Sequence, residues 1–184
     1  MIERALEGAG IARGEIERIA IGIGPGSYTG IRAAIAIAQG WQLATEVQLL
    51  PISSVECLAA QAQADGFAGR ADFIIDAQRN EFYLASYDIN QVGFATVLPL
   101  KLAKPEEVAA RQFERDALFG PDVRKRFPEA RELYPRAETL GRLAVGQTNV
   151  VPGEKIEPIY LRETAFVKAP PVQLKLSPST EPGP

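Results

Sequence analysis

Ile19-Ala20-Ile21-Gly22-Ile23-Gly24-Pro25-Gly26-Ser27-Tyr28-Thr29-Gly30-Ile31-Arg32 is the stretch on which the fold turns, and it runs on as an alanine-rich segment to Thr45. The first five residues form a short apolar run, read as a strand buried on both faces. Gly24 and Gly26 tolerate positive φ, and Pro25 fixes the residue between them. Ser27 or Thr29 then caps a helix that begins near Gly30. Val47–Ile52 is a second apolar run, and Ser53 or Ser54 opens a further helix to about Ala64. Strand, helix, strand, helix in this order predicts an α/β unit, with a parallel strand pair joined by a crossover helix.

A glycine turn between strand and helix has two readings. It can leave amide groups free at a helix N-terminus, where an anion or phosphate is favoured. It can equally be a plain packing device. It is not a Walker loop, because no Gly-Lys-Ser/Thr follows, and Ser27 is not flanked as in a nucleophile elbow.

The crossover helix is apolar nearly all round. Ile31, Ala34, Ile35 and Ala38 form one stripe; Ala33, Ala36 with Ile37, Gly40 with Trp41, and Ala44 form another. One stripe can cover the sheet, and the other then needs a second cover. That cover is either the rest of the same chain or another molecule. Ile2, Leu6 and Ala9 lie at helical spacing on an earlier helix stopped by Gly10, and could extend such a surface.

Further along, Asp72–Ala77 and Glu81–Asp88 read as two strands joined tightly by Gln78-Arg79-Asn80, a β-hairpin. Asp76, Arg79 and Glu81 at its tip are either solvated and locally paired or a contact for another molecule. Phe94–Leu102 suits a third strand and Pro105 an early helical position. Ala117–Gly120 is a short buried strand, Ala137–Gln147 a helix, and Pro158–Arg162 an extended segment. From Ala169 the proline- and serine-rich sequence reads as a disordered tail.

Composition narrows the functions. Basic residues number 20 and acidic residues 23, a net charge of −3, so the chain lacks the basic excess of a protein that grips nucleic acid alone. The basic run Arg124-Lys125-Arg126, with Arg131 and Arg136 beyond it, is read as a solvated face. The single cysteine, Cys57, excludes an internal disulfide and suits the reducing cytoplasm. No signal peptide or membrane-spanning run is read. Histidine is absent, which removes the commonest general base and zinc ligand; a Ser-His-Asp triad, a Cys-His pair and an HExxH site are all impossible.

Four motifs in order then carry a resemblance. Gly24-Pro25-Gly26-Ser27-Tyr28-Thr29-Gly30-Ile31-Arg32, followed by Ile37-Ala38-Gln39-Gly40, resembles the GPGSFTGxR…AQG signature of the TsaB (YeaZ) family. Ile52-Ser53-Ser54-Val55 is similar to the segment that follows it there. Ile75-Asp76-Ala77-Gln78-Arg79-Asn80-Glu81-Phe82-Tyr83 resembles the family's DARRxEVY hairpin, and Pro158-Ile159-Tyr160-Leu161-Arg162 its PxYLR motif.

The resemblance implies an ASKHA (actin/hexokinase-like) fold of two α/β lobes. Residues 1–52 would be the remainder of an incomplete N-terminal lobe, 53–168 the second lobe and 169–184 a tail. The family's usual opening strands and LAIDTS-like motif are not matched ahead of the first helix. The implied function is a non-catalytic partner of a TsaD-type transferase, which moves threonylcarbamoyl from an AMP adduct to N6 of adenosine 37 in tRNA. Partner contacts are expected at Ile2, Leu6, Ala9, Ile31, Ala34, Ile35, Ala38 and Gln42. The signature loop is Gly24, Pro25, Gly26, Ser27, Tyr28, Thr29, Gly30 and Arg32. The family also works with a TsaE-type ATPase. ATP and metal are expected on the partner subunits, with no cofactor on this chain and tRNA met only through the complex. A homodimer is a second arrangement. The other function classes are a peptidase-like enzyme and a stand-alone nucleotide-binding module.

Overall fold

A computed structural model describes residues 2–162 of the 184. The chain opens with α1 (Ile2–Ala9), which ends at Gly10 with φ +67°. After a 3-10 turn come β1 (Arg18–Gly22), α2 (Tyr28–Thr45) and β2 (Gln48–Ile52). β1 and β2 pair in parallel, Arg18 opposite Gln48 through Gly22 opposite Ile52, so α2 is the crossover that the sequence predicts.

Side-chain alternation explains why these strands are apolar along their whole length. Ile19, Ile21, Ile23 and Leu49 pack with α2, around Ile35, Ala38 and Val47. Ala20, Leu50 and Ile52 meet α5 (Ala137–Val145) on the opposite face, through Leu140, Leu143 and Ala144.

The second sheet has five strands in the order β5-β4-β3-β6-β7. β3 (Gly69–Asp76), β4 (Phe82–Ile89) and β5 (Phe94–Ala103) form an antiparallel meander. β6 (Ala117–Gly120) joins β3 in parallel, and β7 (Arg131–Glu132) adds to β6. That two-residue strand is too short to leave a pattern in the sequence. α3 (Ser54–Ala64) covers one face, with Val55, Leu58, Ala59 and Ala62 set against Phe73, Ala85, Tyr87 and Phe119. The other face holds Ile74, Leu84, Leu118 and Val108 from α4 (Pro105–Ala110), with Phe127. Gly120 has to be glycine, because a Cβ there would collide with the Ile74 carbonyl oxygen.

Asp72 sits in this second layer, fully buried. Arg111 donates to it at 2.9 Å and 3.1 Å and Arg115 at 3.4 Å, while the Ser86 hydroxyl donates to its other lone pairs. Asp72 holds the Arg111 guanidinium, through its hydrogen bond, more firmly protonated than usual. A carboxylate removed from water is tolerable only with such partners, and here it pins the segment after α4 to the sheet.

Two sequence expectations shift. Pro158–Arg162 joins no ladder; its only backbone hydrogen bond among the described residues is Ile159 N–H to the Ile23 carbonyl, at 2.9 Å. The Ala137–Gln147 helix ends at Val145. The tail from Ala169 lies outside the described residues.

Candidate functional site

The signature loop anchors the starts of two helices. Ser27 caps α2, its Oγ accepting the Gly30 N–H at 3.3 Å and its carbonyl the Ile31 N–H at 2.9 Å. The Gly24 carbonyl accepts the Ser54 N–H at 2.8 Å, so the same loop also anchors the start of α3. Of the two glycines read as candidates for positive φ, only Gly24 has it, at +97°, and a Cβ there would lie 2.8 Å from Ile31 Cδ1. Gly26 needs no such freedom, a correction to the sequence reading. Pro25 is buried and follows a cis peptide bond. Thr29 is exposed on the first turn and does not act as the cap.

Beside this loop lies an open aromatic pair. The Tyr28 and Tyr160 rings are 5.5 Å apart, and the Arg32 guanidinium stands 5.3 Å over Tyr28. Both tyrosines are exposed. Two residues beyond Tyr160, Arg162 reaches the hairpin. Its Nη2 donates to the carbonyls of Ala77 at 3.2 Å and Gln78 at 3.4 Å, and it forms an ion pair with Glu81.

The hairpin tip is unusual. Gln78, Arg79 and Asn80 all have positive φ, at 61°, 54° and 60°. Left-handed backbone costs a non-glycine residue on the order of 1–2 kcal/mol. The Asp76 carboxylate offsets part of that cost by accepting the Gln78 N–H at 2.7 Å and the Gln78 side chain at 3.2 Å. Asp76 and Glu81 are therefore paired locally, and Arg79 stands exposed. Three motifs that lie far apart in the sequence meet here through residues 156–162.

The expected partner residues divide by environment. Ile35 and Ala38 are 5% and 3% exposed, closed over by Ile21, Val47, Leu49 and Ile156. Ile31 is half-buried on the same side. Gln42 is engaged inside the chain: its Oε1 accepts the Gly153 N–H at 2.8 Å and its Nε2 donates to the Val47 carbonyl at 2.9 Å. Gln39 donates to the Gly153 carbonyl at 2.7 Å, completing a clamp. The sequence reading of Ile35 and Ala38 as surface for another molecule is thus corrected, because the chain's own sheet covers them, while Ile31 and Gln42 stay half-buried. Ala34 remains exposed, and so do Ala33, Ala36, Ile37, Gly40 and Ala44 of the second stripe, with Ile37 at 55%; Trp41 of that stripe is instead half-buried against the α2 core, a correction to the sequence reading. Leu43, on the same helix, is 89% exposed. In α1, Ile2 and Ala9 are exposed and Leu6 is half-buried; no residue of that helix is buried.

Elsewhere, the basic run is largely engaged. Arg124 donates to the Ala130 carbonyl at 3.2 Å, Lys125 pairs with Asp122 at 3.0 Å, and Arg131 lies over Phe67 and Phe119. Cys57 is fully buried, and burial pushes its thiol up from the ordinary value. No group of three metal-ligating side chains occurs among the described residues.

Comparison with known proteins agrees with these motifs. A family model described as TsaD, tRNA N6-adenosine threonylcarbamoyltransferase, matches residues 1–139. The TsaB protein of Escherichia coli, named for tRNA threonylcarbamoyladenosine biosynthesis, is 29% identical across 93% of this chain and 81% of its own length. Its Haemophilus influenzae namesake is 27% identical across 92% and 80%. A Pseudomonas aeruginosa crystal structure, described as similar to peptidase YeaZ, superimposes with a TM-score of 0.74 at 30% identity, covering 88% of this chain and 81% of that one. With its signature loop, hairpin and Arg162 motif joined in one place, the chain belongs to the TsaB (YeaZ) family.

Proposed function

We propose that this chain is a non-catalytic subunit that binds and activates a TsaD-type transferase in forming N6-threonylcarbamoyladenosine at position 37 of tRNA. The observation that carries the proposal is the open stripe of α2. Ala33, Ala36, Gly40 and Ala44 are small, and with the larger Ile37 they present an apolar stripe to solvent along a helix whose other side is already packed. Small residues let a second helix approach closely, and an exposed apolar surface of this kind marks an interaction site. The family supplies the identity of the occupant: its relatives are named for threonylcarbamoyladenosine biosynthesis, and the matching model describes the transferase.

The proposed lobes are residues 1–52 and 53–168, with α5 of the second stretch returning to pack on β1 and β2. ATP and metal belong to the partners, including a TsaE-type ATPase, and tRNA reaches this chain only through the complex. The absence of histidine supports a non-catalytic role. No described helix is long and apolar enough to cross a membrane, and the cytoplasm is the proposed compartment. Co-purification of the chain with the TsaD-type subunit of the same organism tests the assignment. A single peak containing both chains is expected; two separate peaks at micromolar concentration would refute it.

A further inference from the structure

We infer that residues 156–162 act as a strap, in which Arg162 is a positioning residue that sets the left-handed turn at Gln78–Asn80 and Tyr160 ties that turn to the signature loop. It stands on contacts within this chain, whether or not the chain meets a transferase.

The turn needs an outside hold. Gln78, Arg79 and Asn80 are all left-handed and none is glycine, so the backbone favours other conformations. Its internal hydrogen bonds are few. The Ala77 N–H donates to the Glu81 carbonyl at 3.0 Å, the Glu81 N–H to the Gln78 carbonyl at 3.2 Å, and the Gln78 N–H to Asp76. One nitrogen of the Arg162 guanidinium, Nη2, reaches two carbonyls, those of Ala77 at 3.2 Å and Gln78 at 3.4 Å, and also the Glu81 carboxylate, so a single cationic nitrogen spans both ends of the turn. A charged donor suits such a grip, because its hydrogen bonds to carbonyl and carboxylate oxygens are stronger than those of a neutral group.

The strap is itself fixed at three points. Ile156 is buried in the α2 core, the Ile159 N–H is bonded to the Ile23 carbonyl just ahead of the signature loop, and the Tyr160 ring lies against Tyr28 at a 31° tilt. Tyr160 and Arg162 are two residues apart, about 7 Å at full extension. A shift of Tyr28 or of the α2 N-terminus is therefore passed to the hairpin through a short link. The turn keeps Arg79 exposed, so the strap sets how that cation is presented.

Amide hydrogen exchange on the intact chain, resolved by NMR, tests this. In Arg162→Ala, the Ala77 and Glu81 amides should exchange about tenfold faster, the effect of losing a charged hydrogen bond. The amides of Ile74 and Leu84 within the sheet should keep their rates. Arg162→Lys should recover part of the protection, since an ammonium again offers a charged donor to Glu81 and the turn carbonyls. Tyr160→Ala should accelerate Gly30 and Ile31 in the loop and Glu81 in the hairpin together. Unchanged turn amides in Arg162→Ala would overturn the assignment, and so would an equal acceleration across β3 and β4. If Tyr160→Ala affects the loop alone, the link between loop and turn does not exist.

Discussion

Replacing Ile37 by Asp, beside Ile35 by Asp as its counterpart, separates the two faces of α2. Ile37 is 55% exposed and Ile35 only 5%. Full burial of such a side chain stabilises by roughly 1.5–3 kcal/mol, so Ile37, about half covered, contributes about 1 kcal/mol to the isolated chain. A domain of this size loses about 2–4 °C of melting temperature per kcal/mol. Ile37→Asp should therefore melt only a few degrees below the wild type. Ile35→Asp loses the whole side-chain contribution and also forces a carboxylate into the layer between α2 and β1. Together these are expected to cost about 4 kcal/mol or more, a fall of roughly 8–16 °C or a failure to fold. Against the TsaD-type subunit the order inverts in meaning. Ile37→Asp should lose about 2–4 kcal/mol of binding, roughly 30- to 700-fold in Kd, by placing a charge in an apolar helix contact. Differential scanning fluorimetry gives the first number and isothermal titration calorimetry the second. Full affinity in a well-folded Ile37→Asp would show that the open stripe is not the contact, and a normally stable Ile35→Asp would show that the packing of α2 is wrongly assigned.

Gly40→Ala offers a subtler probe on the same stripe. Nothing lies within 4 Å of a Cβ there, so the free chain should gain about 0.5–1 kcal/mol from helix propensity while affinity for the partner falls, because the added methyl blocks close approach. Asp72→Ala should cost about 3–5 kcal/mol in urea unfolding by leaving Arg111 and Arg115 without their buried counter-ion; a loss below 1 kcal/mol would mean water already screens them. Cys57 should be unreactive to a thiol reagent in the native protein and react fully in guanidinium, since burial keeps it a thiol; rapid native labelling would contradict its placement. Asp88 is held below the ordinary carboxylate range by its hydrogen bond to Arg70, so its contribution is present above about pH 4 and lost as pH falls through its folded value. In Asp88→Asn that part of the acid dependence should vanish; an unchanged acid limb would show that the pair does not form in solution.

Much of the fold was legible in local patterns. The β1–α2–β2–α3 order followed from two apolar runs, the glycine–proline break and the serines ahead of each helix. The β3–β4 hairpin followed from two strand patterns with three polar residues between them. The inward side of α2 was not legible, because both of its stripes are apolar and hydrophobicity cannot rank them. The choice is made by groups distant in sequence, chiefly the Gly153 turn held by Gln39 and Gln42, and Ile156 beneath it. Arg162 was visible as part of a motif, but its grip on Ala77, Gln78 and Glu81 joins residues too far apart for any periodicity to register. Asp72 left a usable sign that went unread: it alternates with Ile74 on β3, so it must face the same buried layer.

The most direct measurement is threonylcarbamoyl transfer to tRNA by the TsaD-type subunit, with the other components of the modification system supplied and this chain added or withheld. The chain alone should form no modified adenosine, and the transferase should become active only on its addition, with Ile37→Asp failing to restore it. Modified tRNA formed by this chain without the transferase, or a transferase equally active in its absence, would contradict the partner-subunit function.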